Sequence, residues 1–141
     1  MTIQEIKKDF FSFRNGIVAK TFLDSGYPYK HIYGLQLPQL TQIAVRIGMP
    51  SHELAKELWN DRECRESRLL SLWLFDREFL SRDELKSIIA DVKTREEADM
   101  LAFKVLKRMP DAREIFEDPE LFGEGENLSA YVKEALRRNL E

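Results

Sequence analysis

This chain of 141 residues has a single cysteine, Cys64, so it can form no internal disulfide, and a reduced, cytoplasmic setting is the expectation. It has no run of 18 apolar residues, which leaves no segment for a membrane-spanning helix. The opening residues Met1-Thr2-Ile3-Gln4-Glu5 lack a basic start followed by an apolar stretch, so no secretory signal is expected. His31 and His52 stand alone, Cys64 has no partner at CxxC spacing, and no HExxH occurs, so no metal site is expected. Neither GxGxxG nor a P-loop is present, and no cofactor, nucleotide or otherwise, is expected. Cys64 lies beside Arg65 but lacks a positioned base, and reads as a structural thiol rather than a nucleophile. No segment carries a strand or hairpin signal, which makes the fold class all-α.

What is present is charge and short apolar runs. Hydrophobic residues make up 43% and charged residues 33%, the balance of a globular chain, and the length suits one domain over residues 1–141. The formal net charge is −3, whereas proteins that bind nucleic acid by neutralising phosphates are usually basic. Any DNA contact therefore needs a local basic face.

The densest apolar stretch, Leu69-Leu70-Ser71-Leu72-Trp73-Leu74-Phe75, is Leu-rich and follows a charged lead-in without Gly or Pro. It predicts a helix over about 62–77, with Asn60 and Glu63 as its N-terminal signature, covered on more than one side. Before it, Thr2 and Glu5 open a helix to about Arg14, Asn15-Gly16 break it, and a second helix covers Ile17 to Ser25 up to Gly26. A loop with Tyr27, Tyr29 and Tyr33 then leads to Pro38, placed for the first turn of a third helix that ends at Gly48. The tyrosines allow base stacking, or they close the end of a helical stack.

Ser51, Ser81 and Asp111 recur at intervals of 30 as caps, each opening a short amphipathic helix. Each is followed by a second helix: the central one, then Thr94 to Met109 with Met100, Leu101, Phe103, Val105 and Leu106, then about Leu128 to Leu140 with Tyr131, Val132, Ala135 and Leu136. The third copy has a long internal connection, 118–126. Helix pairs at this period are the signature of a HEAT-like α-solenoid.

Charge is unevenly placed. Asp111 to Glu126 holds seven acids against Arg113, whereas Leu101 to Pro110 holds Lys104, Lys107 and Arg108 with no acid. The last helix adds Lys133, Arg137 and Arg138. With Arg65, Arg68 and Arg77 of the central helix, these cations can form one basic stripe on a concave wall, or ordinary solvated helix faces. Asp99 lies one turn into its helix, 31 residues after Arg68, where a neighbouring arginine would hold it ionised.

Glu66-Ser67-Arg68-Leu69-Leu70-Ser71-Leu72, preceded by Glu53-Leu54-Ala55-Lys56-Glu57-Leu58-Trp59, resembles the bacterial DNA alkylation repair family, the HEAT-like-repeat alkylpurine DNA glycosylases. Tyr33-Gly34-Leu35-Gln36-Leu37-Pro38-Gln39-Leu40 is similar to that family's entry motif. The resemblance spans about residues 30–106 and, more loosely, the last helix. It implies duplex DNA as partner and excision of N3- and N7-alkylated purines, with Asp99 as the catalytic carboxylate. The family's two tryptophan walls fall on Arg95 and Arg138, whose charge opposes a cationic base, so excision is expected to be slow or absent. The expected DNA-binding residues are Arg65, Arg68, Arg95, Lys104, Lys107, Arg108, Lys133 and Arg138. The alternative is a non-catalytic helical-repeat module with a protein partner.

Overall fold

A computed structural model describes residues 1–123 and 127–141, and every regular element among them is helical: ten α-helices and one 3-10 turn. The fold class is all-α. The helices gather into two compact units, Met1–Asp76 and Arg77–Glu141.

The first unit holds α1 (Ile3–Ser12), α2 (Gly16–Asp24), α3 (Leu37–Ile47), α4 (His52–Asn60) and α5 (Arg65–Leu74). Local signals place the first three. The Thr2 hydroxyl accepts from the Glu5 amide, and the Asn15 side chain accepts from the Ile17 and Val18 amides. Pro38 sits in the first turn of α3, and Gly48, at φ +94°, ends it. The central helix α5 packs on α4 and α3, and each of its residues is buried. Leu69, Leu72, Trp73 and Phe75, the predicted core, are no more than 8% exposed.

Its start differs from expectation. Asn60 is the last residue of α4, and α5 begins after Cys64 with no side-chain cap. The entry loop supplies the missing partners: the His31 amide donates to the Glu63 carbonyl at 2.8 Å, and the Arg65 amide donates to the His31 carbonyl at 3.1 Å. An extended bridge between residues 31 and 64 thus takes the place of a capping side chain.

Glu66 anchors that loop. It is fully buried, accepts from the amides of Tyr33 (2.8 Å) and Gly34 (3.1 Å), and receives the Arg65 guanidinium at 2.6 Å. Arg65 also donates to the Leu35 carbonyl at 2.9 Å and lies 4.0 Å from the centre of the Phe22 ring. Gly34 is obligatory here: at φ +86°, a Cβ would stand 2.3 Å from the Asn15 carbonyl oxygen.

The second unit holds α6 (Arg82–Ala90), α7 (Arg95–Lys104), the 3-10 turn Leu106–Arg108, α8 (Ala112–Glu117), α9 (Pro119–Phe122) and α10 (Leu128–Leu140). Ser81 and Thr94 cap α6 and α7 by accepting from the Glu84 and Glu97 amides, each at 3.1 Å. Ser51 and Asp111 precede their helices but make no side-chain cap bond; Asp111 instead receives Arg82 at 2.8 Å. The helix expected from Thr94 to Met109 stops at Lys104 and tightens into the 3-10 turn. The connection expected over 118–126 contains α9, which buries Leu121 and Phe122; its residues 124–126 lie outside those described. Here α7 packs chiefly on α10, and α6 on α9.

Glu66→Ala would leave Arg65 buried without its counter-charge and two loop amides without an acceptor. It is expected to cost about 3–5 kcal/mol of unfolding free energy, measured by urea denaturation. A loss below about 1 kcal/mol, the scale of an exposed ion pair, would show that the pair is not holding the loop.

Candidate nucleic-acid interface

The expected DNA-contacting residues divide by burial. Arg65 and Arg68 are 2% and 0% exposed, and their expected role is corrected: neither can reach a phosphate. Arg65 belongs to the Glu66 clamp. Arg68 stacks its guanidinium 3.5 Å from the centre of the Trp59 ring and donates to the Trp59 carbonyl at 2.8 Å. Both lie on a helix with no solvent face, so a charge that reads as surface from the sequence serves the interior. Arg77 is exposed but lies past the end of α5, at the start of the second unit.

The other six, Arg95, Lys104, Lys107, Arg108, Lys133 and Arg138, all stand in the second unit on α7, the turn after it, and α10. They assemble around aromatic rings. On α7, Arg95 and Asp99 are one turn apart and both exposed. Packing of α10 against α7 brings Tyr131 and Arg138 to them. The Tyr131 hydroxyl donates to Asp99 Oδ2 at 3.3 Å, and an Arg138 guanidinium nitrogen lies 3.5 Å from Oδ1. The Arg95 and Arg138 guanidinium carbons stand 5.1 and 5.7 Å from the centre of the Tyr131 ring. Hydrogen bonding with Tyr131, aided by the charge of Asp99, pushes the Arg138 pKa up.

Chemically, this is a half-exposed carboxylate with both oxygens engaged and two fixed cations close by. The cluster carries a net charge of about +1 and favours an anion. A cationic purine at Tyr131 would meet two guanidinium groups, 5.1 and 5.7 Å from the ring centre.

Lys104, Lys107 and Arg108 form the second assembly, around Phe103: their charged groups stand 5.5, 5.0 and 5.5 Å from its ring centre. Burial, and then the charge of Arg108, push the Lys104 pKa down. Lys133 lies 5.3 Å from the Phe116 ring centre. Arg137 is tied to Glu134 and Glu141.

Tyr131 and Phe103, which the sequence counts only among the residues of the second helices, are half-buried and exposed beside these cations. Phe103 is 40% exposed, although the helix pattern counts it with Met100 and Leu101. The available signal was spacing, since 95, 99 and 103 fall on one helical stripe that the buried Ala98, Leu101 and Ala102 do not share. Cys64 is buried, and that burial pushes its thiol pKa up, so it is unsuited to nucleophilic work.

Among the described residues, no three or more His, Cys, Asp or Glu side chains are grouped to hold a metal ion, and no helix is long and apolar enough to cross a membrane. No protein-family model, no curated protein and no solved structure matches the chain.

Asp99 is about half exposed and meets Arg138 at the surface, so its ion pair is screened by solvent. Asp99→Asn is expected to leave the melting temperature nearly unchanged in differential scanning calorimetry. A clear fall would assign Asp99 a structural role.

Proposed function

We propose that the chain is a DNA-repair-related helical-repeat protein that engages duplex DNA through the exposed cations of its second unit and has little or no excision activity. The observation that supports this reading is the placing of Arg95, Lys104, Lys107, Arg108, Lys133 and Arg138 on α7, the turn after it and α10, four of them exposed. The finer fold, a HEAT-like α-solenoid similar to the DNA alkylation repair family, belongs to the same proposal. In its favour, α7 and α10, the second helices of consecutive repeats, pack on one another as stacked repeats do. So does the cytoplasmic setting expected of a lone buried thiol.

In this reading affinity comes from counterion release, so binding is weak, independent of sequence and steeply salt-dependent. The Asp99 carboxylate occupies the position of the family's catalytic group, but Arg95 and Arg138 make its surroundings hostile to a cationic lesion. Like charges oppose a cationic base there, where an aromatic wall would attract it.

Replacing Lys104, Lys107 and Arg108 together by Gln is expected to flatten the dependence of log K on log salt by about one for each phosphate left without its cation, read by fluorescence anisotropy on a labelled duplex. Duplex binding undetectable at low salt would sink the proposal. It would favour a protein-interaction module instead, for which the exposed Phe11 and Ile17 and the acids of α8 and α9 speak.

Excision is a separate measurement. On duplexes carrying N7-methylguanine or N3-methyladenine, the wild type is expected to release base no faster than background, and Arg95→Trp to raise the rate. Robust wild-type release that Asp99→Asn abolishes would make this an active glycosylase.

A further inference from the structure

The Phe103 assembly asks for more than a phosphate backbone. A duplex offers cations its phosphates and gives an exposed benzyl ring nothing to cover it. Yet the fold puts Phe103 outside while burying Met100, Leu101 and Ala102 beside it.

The backbone also arranges the cations around that ring. In an uninterrupted α-helix, residue 107 would share a face with 103, but residue 108 would point roughly 140° away at about 100° per residue. The helix stops at Lys104 instead, and the tighter turn Leu106–Arg108 brings the Arg108 guanidinium to 5.5 Å from the Phe103 ring centre. Three like charges are thereby crowded at one ring, within a ten-residue stretch that has no acid. Burial first, and then the neighbouring charge of Arg108, push the Lys104 pKa down, the second of these an effect of that crowding.

The pattern then repeats. One turn back along the same stripe, about 6 Å at 1.5 Å per residue, the Asp99 position adjoins a second ring, Tyr131, attended by Arg95 and Arg138. Ring plus cations thus occurs twice, once on α7 and once where α10 packs on it, and matches a polymer that repeats a π-face and a phosphate, which is a nucleic-acid strand with its bases unpaired. An acidic peptide would satisfy the cations but would leave the repeated rings without a reason.

We propose that the α7 stripe from Arg95 to Phe103, with Tyr131 and the 104–108 cations, is a subsite for single-stranded DNA, in which an unpaired base stacks on Phe103 while the flanking phosphates meet Lys104, Lys107 and Arg108. This deepens the DNA-binding reading and rests on it: the protein prefers DNA with unpaired nucleotides to an intact duplex.

The test compares the full-length chain on a labelled 20-nucleotide single strand and on the duplex of the same sequence, at several salt concentrations. The wild type is expected to bind the single strand several-fold more tightly. Phe103→Leu keeps an apolar side chain but removes the π-face, and is expected to weaken single-strand binding about tenfold, within the range of one base–aromatic stack, and to weaken duplex binding far less, so that the preference for the single strand is lost. Phe103→Tyr is expected to retain the wild-type preference, and circular dichroism melting confirms that both variants fold.

Equal affinity for the two forms, or a Phe103→Leu variant that binds single strands like the wild type, would overturn the subsite and leave duplex binding standing. A wild type that binds neither form would overturn the DNA reading as well. Displacement of either DNA by polyglutamate more readily than by unlabelled single strand would assign the surface to an acidic protein segment and also overturn the subsite.

Discussion

A buried carboxylate is tolerable only where its charge and lone pairs are met, and Glu66 has both needs answered within one short loop. Two backbone amides and the Arg65 guanidinium converge on it, and Arg65 continues to the Leu35 carbonyl. The loop so held presses Gly34 against the start of α2, where Asn15 donates its amide to the Tyr33 carbonyl and caps the helix with its side chain. The same loop meets residues 63–65 in the bridge that opens α5. The entry of α2, the path of the loop and the start of the central helix thus depend on one ion pair. The residues that carry the family resemblance, Tyr33-Gly34-Leu35 and Glu66, are the two halves of this device, so the motif has a structural meaning whatever the chain does.

Arginine serves two ends in this molecule. In the first unit, Arg65 and Arg68 are interior groups, with planar guanidiniums stacked on Phe22 and Trp59 and donating to carbonyl oxygens. In the second, Arg95 and Arg138 stand in solvent beside a tyrosine and a carboxylate. The first use makes the core specific. The second leaves a local cationic cluster on a chain whose net charge is negative. Asp99 tempers that surface, and with both oxygens engaged by Tyr131 and Arg138 it is poorly placed to shelter a positive charge.

The helical class, the caps at Thr2, Ser81 and Thr94, the stop at Gly48, and burial of the Leu69–Phe75 run were determined by the sequence itself. Each is a local matter of hydrogen-bonding side chains, backbone freedom or apolar density within a turn or two. Tertiary structure decided the rest. It spared α5 a capping side chain by bringing His31 to residues 63–65, and it drew Asp111 to Arg82 instead of to its own helix. It turned Arg65 and Arg68 inward, because a charged residue shows its partners only once the chain has folded around it. It also placed Tyr131 and Phe103 at the surface: an aromatic at helical spacing looks the same on either face until a neighbouring helix, here α10, settles which face is covered.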